Sequence, residues 1–479
     1  MKPDAGQVAP IIDLPEGATQ GRILVKFKPE AASFLDAATT RSVGAALTRS
    51  GISDMDAVLQ RIGTSKLERI FPVDNRTEER TRKAGLNLWY IIHFDKDTDL
   101  EQVAKDLSQV ADVAKVQFTR AIQRSYDPNV RATVLTKQAM TRVVHTTRAV
   151  NTDANDPFFN LQWGCKNDGS ILQNGEKNDK GDNVVPAVMG VDVNCGEAWK
   201  LCTGNPSIVV AVLDEGVMYD HPDLEGNIWV NEDETFASKE DADGNGYAGD
   251  RYGYNFTDDK GYISYDDPND TGHGTHVAGI ISAVRNNGEG ISGIAGGDKA
   301  NNRGGVKIMS CQVFSGSKGC DLYQEAKAVK YAADNGAVIL QCSWGYNSGL
   351  SNPISGYTPG FTSDKDWVDA APLEKEAFDY FLHNAGSPND VIDGGIIVFA
   401  AGNEYAAMAG YPGAYPDYIS VAALAADGTP SCYSNYAMGV SIAAPGGDSD
   451  YHQSSKGKIY STLPPSANED GGENSHYGY

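Results

Sequence analysis

The chain has 479 residues, and its content of 41% hydrophobic and 22% charged residues is that of a globular protein. Because one core supports roughly 250–300 residues, we expect two or three domains. The apolar runs are too short to span a bilayer, and the net charge of −24 argues against nucleic acid or anionic lipid as a partner.

The charge is unevenly distributed. Residues 1–150 hold 22 lysines and arginines against 18 acidic residues, whereas residues 151–479 hold 18 against 46, so a leader of charge +4 precedes a body of charge −28. All seven cysteines lie in the body without a CxxC spacing, which disfavours a zinc or thioredoxin-type site and leaves disulfides open. The first ten residues lack an apolar segment, so the protein is either intracellular or numbered after removal of a signal.

The leader has the pattern of a small α+β unit. After a tail at residues 1–22, the periodicity predicts a strand at 23–27, a helix near 42–62, strands at 66–71 and 87–94, a helix at 99–113 and a strand at 115–119. This order is β-α-β-β-α-β, which is typical of a ferredoxin-like split and gives a domain at residues 23–121. Residues 122–155 are polar and basic without clear periodicity, so we expect an exposed linker open to proteolysis.

The body, residues 156–479, alternates short apolar strands with helices. Strands are expected at 208–214, 306–314, 337–344 and 395–403, and helices at 321–335 and near 373–384. Such alternation predicts an α/β domain with a parallel sheet, whose functional groups lie at the carboxyl ends of the strands.

Three polar residues occupy positions suited to acid–base chemistry. Asp214 ends the strand-like run IVVAVL, and His273 lies between two glycines in GHGTHVAG, just ahead of a helix of small residues. A histidine oriented by an acid can act as a general base. Asn403 ends a third apolar strand in FAAGN, where its amide could donate to a developing oxyanion.

These motifs, with YPGAYPDYISVAA and SNYAMGVSIAAPG, occur in an order that resembles the subtilisin-type serine proteases from about residue 155 to the end. The resemblance implies that Asp214 orients and charge-stabilises His273, that His273 transfers the proton, and that Asn403 supplies an oxyanion-hole donor. It also implies that residues 23–120 are a propeptide, which in this family is an intramolecular chaperone and inhibitor.

The resemblance further places the substrate cleft. Ser343-Trp344-Gly345 is similar to the strand that pairs with an extended peptide substrate, and with Ala400, Ala401 and Gly402 it would wall the first specificity pocket.

The family's nucleophile, a serine in a Gly-Thr-Ser-Met-Ala-type motif at a helix start, has no counterpart after Asn403. Tyr477-Gly478-Tyr479 is similar to the segment that leads into that motif, so we expect the serine just after Tyr479. Gly63-Thr64-Ser65 has the three letters but lies in the leader and lacks the small residues that follow. Without a serine, the polypeptide alone is expected to be inactive.

An acidic loop suggests a second site. Asp241, Asp243, Asn245 and Asp250 surround glycines, and oxygen ligands at such spacing suit a calcium ion. The twelfth position is Tyr252 instead of glutamate, so the loop resembles the calcium loops of subtilases more than an EF-hand. Asp223 also resembles a calcium ligand of the family, with Asn286 a weaker candidate. A solvated acidic turn remains the alternative for the loop.

Together these features predict a secreted or periplasmic endopeptidase zymogen with structural calcium, which acts on peptides and is inhibited by its own leader. His221 and His276 are expected to be structural, and Cys311 and Cys342 to be inert buried thiols. One alternative is a pseudoprotease that binds extended peptides along Ser343–Gly345 without cutting them. Another is a calcium-dependent structural domain, which would leave the ordered Asp, His and Asn motifs as coincidence.

Overall fold

The computed structural model describes residues 8–12, 17–41, 46–124, 126, 132, 153–178, 180–386, 392–448, 454–467 and 476–479. The fold is that of an α/β domain with a large, mainly parallel sheet, preceded by a smaller α+β domain. Within the described residues, no helix combines the length and the apolar content that crossing a membrane requires.

The leader forms a five-stranded sheet in the order β1-β5-β2-β4-β3. Its strands and helices are β1 (Ile11–Ile12), β2 (Arg22–Phe27), α1 (Ala32–Arg41), α2 (Ser53–Arg61), β3 (Lys66–Arg69), α3 (Glu78–Lys83), β4 (Trp89–His93), α4 (Leu100–Ser108) and β5 (Val113–Gln117). Strands β2 to β5 are antiparallel neighbours in ferredoxin-like order, and β1 adds a parallel edge strand from the expected tail.

The expected helix near residues 42–62 is observed only in its second half. Residues 46–52 are not helical, and the helix begins only at Ser53. Gly51 has a φ of +80°, which favours glycine and is incompatible with a continuing helix, and the carboxylate of Asp56 accepts hydrogen bonds from Ser50 just before the helix. Residues 42–45 lie outside the described residues.

The body contains the remaining elements, which are α5 (Cys195–Ala198), β6 (Val209–Glu215), β7 (Gly253–Asn255), α6 (His273–Ser282), β8 (Gly297–Asp298), β9 (Arg303–Gly304), β10 (Lys307–Ser315), β11 (Lys318–Gly319), α7 (Leu322–Asp334), β12 (Ala337–Cys342), α8 (Asp364–Ala370), α9 (Pro372–Asn384), β13 (Ile396–Ala400), β14 (Ile419–Leu424), β15 (Ile442–Pro445), β16 (Ser461–Thr462) and β17 (Tyr477–Gly478). The main sheet has the order β11-β10-β6-β12-β13-β14-β15, with β7 beside β10. All its pairs are parallel except β10–β11.

The strand order places a crevice at the end of β6. Strand β10 pairs with one side of β6 and β12 with the other, so the connections run in opposite directions from this strand. In open α/β sheets, ligands bind outside the carboxyl ends of the strands at such a point. Asp214 lies at this end of β6, as the sequence predicts.

The leader's sheet is apolar on both faces. Side chains alternate along β2 and β4, so Ile23, Val25 and Ile92 pack with the leader's own helices, whereas Leu24, Trp89 and Ile91 belong to the core of the body. An antiparallel sheet buried on both faces needs a covering layer on each side. Helices α7 and α9 contribute residues to that second core, so the leader is docked on the body.

Charge complementarity surrounds this apolar contact. Cations of the leader pair with carboxylates on or next to helices α7 and α9: Arg22 with Asp321 at 2.7 Å, Lys26 with Glu376 at 2.7 Å and Arg80 with Asp334 at 3.0 Å. The indole Nε1 of Trp89 also donates to Oε2 of Glu376 at 2.7 Å. The positively charged leader and the negatively charged body thus contact each other through specific ion pairs.

Replacing Glu376 by alanine is expected to weaken docking by about 2 kcal/mol, because Lys26 and Trp89 lose a charged partner in a half-buried interface. Hydrogen exchange of the unprocessed protein, followed by mass spectrometry, should show faster exchange in β2 and β4. Asp379→Ala is the matched control, since Asp379 lies on the same helix but pairs with Lys375 of that helix. Equal exchange in the two variants would contradict the role given to Glu376.

Candidate active site

Asp214 and His273 meet at the carboxyl end of β6. The Nδ1 atom of His273 lies 2.9 Å from both carboxylate oxygens of Asp214, which is fully buried. Burial acts to lower the pKa of His273, but the charge and hydrogen bond of Asp214 and the charge of Glu215 outweigh it, so the pKa is raised. The side chain of His273 remains 27% exposed, and its Nδ1 is the nitrogen that contacts Asp214.

Backbone features fix His273 in this place. Gly272, which precedes α6, has a φ of +79°, and a Cβ atom at Gly274 would lie 2.1 Å from the carbonyl oxygen of Glu215. The first turn of α6 can therefore approach the end of β6 only because both positions are glycine. The predicted helix start at His273 is observed.

Glu215 caps the helix that carries His273. Its Oε2 accepts hydrogen bonds from the backbone amides of Thr271 and His273, both at 3.0 Å, and from the hydroxyl of Thr271 at 3.1 Å. A carboxylate at a helix N-terminus satisfies amides that have no partner within the helix. Sequence reasoning did not assign Glu215 a role, although two adjacent acids at a strand end were a visible signal.

The segment Ser343–Gly345, which was predicted to pair with a peptide substrate, follows β12 directly. The side chain of Trp344 is turned into the core, where its Nε1 donates to the carbonyl of Leu213 at 3.0 Å. Its backbone pairs antiparallel with Arg124 of the leader. Ser343 and Gly345 flank this residue, so the segment presents its backbone to an extended chain.

Asn403 and the other predicted wall residues lie at or just after the end of β13, which is the neighbour of β12. Ala400 is exposed at the end of that strand, Ala401 is buried, and Gly402 and Asn403 are half-buried. The carbonyls of Ala401 and Gly402 accept hydrogen bonds from Asn435, which holds this wall in place. The structure thus brings these residues to the same edge of the sheet as Asp214.

A segment of the leader lies in the cleft. Ile122 donates its amide to the carbonyl of Cys320 at 2.9 Å, and the carbonyl of Arg120 accepts from Leu322 at 3.0 Å. Farther on, the ring of Tyr126 stacks on His273 with 3.9 Å between centroids. Its hydroxyl lies 3.4 Å from Oδ1 of Asp214. Ile122, Arg124 and Tyr126 of the expected linker therefore contact the body, and residues 125, 127–131 and 133–152 lie outside the described residues.

The acidic loop gathers oxygen atoms, but the set differs from the predicted one. Carboxylate oxygens of Glu234, Asp241 and Asp243 lie within 4.8 Å of one another. Asp250 and Asn245 are hydrogen-bonded to each other at 2.9 Å beside them, and burial raises the pKa of Asp250 to about 6. Glu234 was missed because it precedes the loop in sequence.

Asp223 is engaged elsewhere. Its carboxylate accepts hydrogen bonds from the side chain of Asn287 at 2.7 Å and from the amide of Ile291 at 2.9 Å, and burial raises its pKa to about 7. The neighbouring candidate Asn286 donates to Asp298 instead. The structure therefore does not join Asp223 to the acidic loop.

His221, His276, Cys311 and Cys342 have the surroundings of structural groups. Burial lowers the pKa of His221 and of His276 to about 4, and each ring bonds to a backbone carbonyl, that of His476 and that of Ile459 respectively. All seven cysteines are free, and burial raises the pKa of Cys311 and Cys342.

Comparisons with known proteins agree with this architecture. The model of the subtilase family matches residues 205–475, and the model of the N-terminal region of the subtilase family matches residues 23–169. Fervidolysin from Fervidobacterium pennivorans, described as a keratinolytic enzyme related to subtilisin, has a fold that superposes with a TM-score of 0.52 at 21% identity, over 99% of this chain and 54% of that one.

Curated relatives are similar over part of their length. Subtilisin-like protease 1 of Plasmodium vivax is 33% identical over 40% of this chain, and halolysin of Haloferax mediterranei is 31% identical over 50%. The thermophilic serine proteinase of Bacillus sp. strain AK1 is 28% identical over 48%. The chain spans 25%, 34% and 54% of these proteins respectively.

Proposed function

The chain belongs to the subtilase family, and we propose that it forms the leader and most of the catalytic domain of a serine endopeptidase that hydrolyses peptide bonds through an acyl-enzyme. The observation that carries the proposal is the pair of Asp214 and His273, placed at the crevice of the sheet beside a segment bound like an extended peptide. A structural domain has no need of this arrangement.

In the proposed mechanism, Asp214 holds Nδ1–H of His273 and leaves Nε2 to accept the proton of a serine hydroxyl. The serine oxygen attacks the substrate carbonyl, and Asn403 with a backbone amide stabilises the oxyanion. His273 then returns the proton to the leaving amine, and water releases the acyl group in a second cycle of the same steps. We propose that the serine belongs to a Gly-Thr-Ser-type segment that follows Tyr479 in the encoded protein.

We further propose that the leader is an inhibitor and that this arrangement is a zymogen. Support comes from Tyr126, which covers the ring of His273, and from the pairing of Arg124 with the cleft strand. Both positions would have to be vacated before a substrate could reach His273. Activation then requires cleavage after this segment and dissociation of the leader.

Cleavage of the linker is the test of the proposed function. We use full-length protein for the encoded protein that includes the segment proposed to follow Tyr479. When purified, it is expected to acquire a new N-terminus between residues 122 and 156, which intact-mass measurement and N-terminal sequencing would locate. The first-order rate constant of linker cleavage should be independent of protein concentration if each molecule cleaves its own linker. A protein that stays uncut when pure and fails to hydrolyse casein would favour the pseudoprotease instead.

Calcium at the acidic loop is also proposed. The donor set fits, because three carboxylate oxygens lie close enough to share one ion and all ligands are oxygens, as Ca²⁺ prefers. In the unprocessed protein, Arg76 of the leader lies 3.3 Å from Asp243 and supplies part of the opposing charge. Glu234, Asp241 and Asp243 would hold the ion, which would stabilise the loop without taking part in the reaction.

Secretion is proposed on the basis of the relatives. One of them, from Natrialba magadii, is named a halolysin-like extracellular serine protease. A zymogen whose leader blocks its own cleft is consistent with an enzyme that is released before it becomes active.

A further inference from the structure

Arg124 is a buried cation of the leader. Its side chain is only 8% exposed, although arginine is seldom buried unless it is paired. Its Nη2 donates to the carbonyl of Gly316 at 2.7 Å and lies 3.3 Å from Oε1 of Glu215 and 3.8 Å from Oδ1 of Asp270. Its guanidinium carbon also lies 5.1 Å from the ring centre of Phe314.

These four groups around the guanidinium belong to the body, whereas the ring of Tyr126, whose centre lies 5.7 Å from the guanidinium carbon, belongs to the leader. Glu215 follows Asp214, Asp270 is three residues before His273, and Phe314 and Gly316 lie at the end of β10. We call Glu215, Asp270, Phe314 and Gly316 the acidic pocket. Since none of them is part of the leader, the pocket persists after the leader is removed.

The pocket is suited to a cation and costly without one. Glu215 and Asp270 are almost completely buried, and burial together with the charge of Glu215 raises the pKa of Asp270 to about 7. Two buried carboxylates in proximity repel each other, and a positive side chain between them offsets this repulsion. A planar guanidinium also matches the carbonyl, the carboxylates and the aromatic face together.

The pocket opens on the path of the substrate. Arg124 reaches it from a backbone position paired with Trp344, and the amide of Ile122 donates to the carbonyl of Cys320, which follows β11. Two residues beyond Arg124, the ring of Tyr126 stacks on His273. The leader therefore enters the cleft as an extended chain and places an arginine next to the acid–base pair.

We infer that the acidic pocket selects peptide substrates that carry an arginine at the position that Arg124 occupies in the leader. The inference rests on the proposed endopeptidase function. It names Glu215 and Asp270 as the residues that determine specificity and an arginine-containing peptide as the preferred substrate. Glu215 has two tasks, since its Oε2 caps α6 while its Oε1 faces the arginine.

The test uses two fluorogenic peptides and the processed enzyme. One peptide copies residues 120–130 of the leader, and the other has alanine in place of Arg124. The value of kcat/KM should be about 10- to 100-fold higher for the arginine peptide, the range expected for hydrogen bonds to a charged group. Mass spectrometry of the products would confirm that both peptides are cut at the same bond.

Two variants test whether the acidic pocket causes the preference for the arginine peptide. Asp270→Asn and Glu215→Gln should each reduce the ratio between the two peptides by about tenfold, because each removes one carboxylate charge. The amide of glutamine retains an oxygen acceptor for the amides of α6. Asp220→Asn is the control, since it removes the same charge from an exposed residue outside the pocket and should leave the ratio unchanged.

The outcomes separate this inference from the proposed function. If the processed enzyme hydrolyses casein but cuts the two peptides equally well, or if the pocket variants keep the full ratio, the inference is overturned and the endopeptidase stands. If neither casein nor peptide is hydrolysed, the proposed function fails and the inference falls with it. If the ratio of kcat/KM between the arginine peptide and the alanine peptide falls in the pocket variants and not in the control, both the inference and the proposed function are supported.

Discussion

Replacing His273 by alanine is expected to lower kcat of the full-length protein by about 10⁶-fold, the magnitude known for the corresponding histidine of subtilisin. The reason is that the proposed base is lost and the other histidine of α6 cannot replace it. His276, in the next turn of α6, has its pKa lowered to about 4 by burial and is bound to the carbonyl of Ile459. Cleavage of the linker should stop in the same variant, because the same groups would perform it.

Hydrolysis of a fluorogenic peptide and the intact mass of the protein measure the two effects. His383→Ala is the matched control, since His383 is exposed near the end of α9 and has no part in the proposed mechanism. That variant should retain the activity and processing of the original protein. Substantial hydrolysis by the His273→Ala variant would show that another group acts as the base.

Removal of calcium is expected to lower the melting temperature of the processed enzyme by about 5–10 °C. A ligand that binds only the native state at a hundredfold excess over Kd stabilises it by about 2.7 kcal/mol, and a domain of this size converts each kcal/mol into about 2–4 °C. The processed form is required because Arg76 of the leader lies 3.3 Å from Asp243 and would compete with the ion.

Melting curves with a chelator and with millimolar calcium give the measurement. Asp243→Ala should remove most of the difference between them, since its carboxylate is part of the oxygen cluster. Asp417→Ala is the control, because Asp417 is an exposed carboxylate in the turn before β14. Coinciding curves for the unmodified enzyme would mean that the loop is an acidic turn without an ion.

Much of the fold could be predicted because the apolar patterns are strong. The predicted helix at residues 321–335 corresponds to α7 at Leu322–Asp334, and the strand at 208–214 corresponds to β6 at Val209–Glu215. The helix near 42–62 was predicted to begin too early because a helical periodicity continues through Gly51, whose positive φ the sequence does not display. The boundaries of the domains stay predictions.

The docking of the leader on the body is indicated in the sequence by an apolar strand. Strand β4, with the sequence WYIIH, is apolar on both faces, although a small isolated domain can cover only one of them. The specific partners could not be deduced, because pairs such as Lys26 with Glu376 are 350 residues apart in the chain. The opposite net charges of the leader and the body indicated that the two attract each other, but not which residues form the ion pairs.

The candidate site was only partly visible in the sequence. Asp214 lies at the end of β6, His273 begins α6 and Asn403 follows β13, and local pattern together with family resemblance suffices to indicate these three residues. Arg124 and Asp270 carry no motif, and only the folded chain brings them together. The role of Glu215 depends on the direction of its carboxylate, which a sequence cannot give.

The most direct test of the central claim is labelling of the full-length protein with a fluorophosphonate, which reacts with activated serine residues. We expect one adduct per molecule after processing, on a serine in a Gly-Thr-Ser-type motif, and no adduct in the His273→Ala variant. Absence of labelling in the unmodified protein, under conditions in which the leader has been removed, would contradict the assignment of a serine endopeptidase.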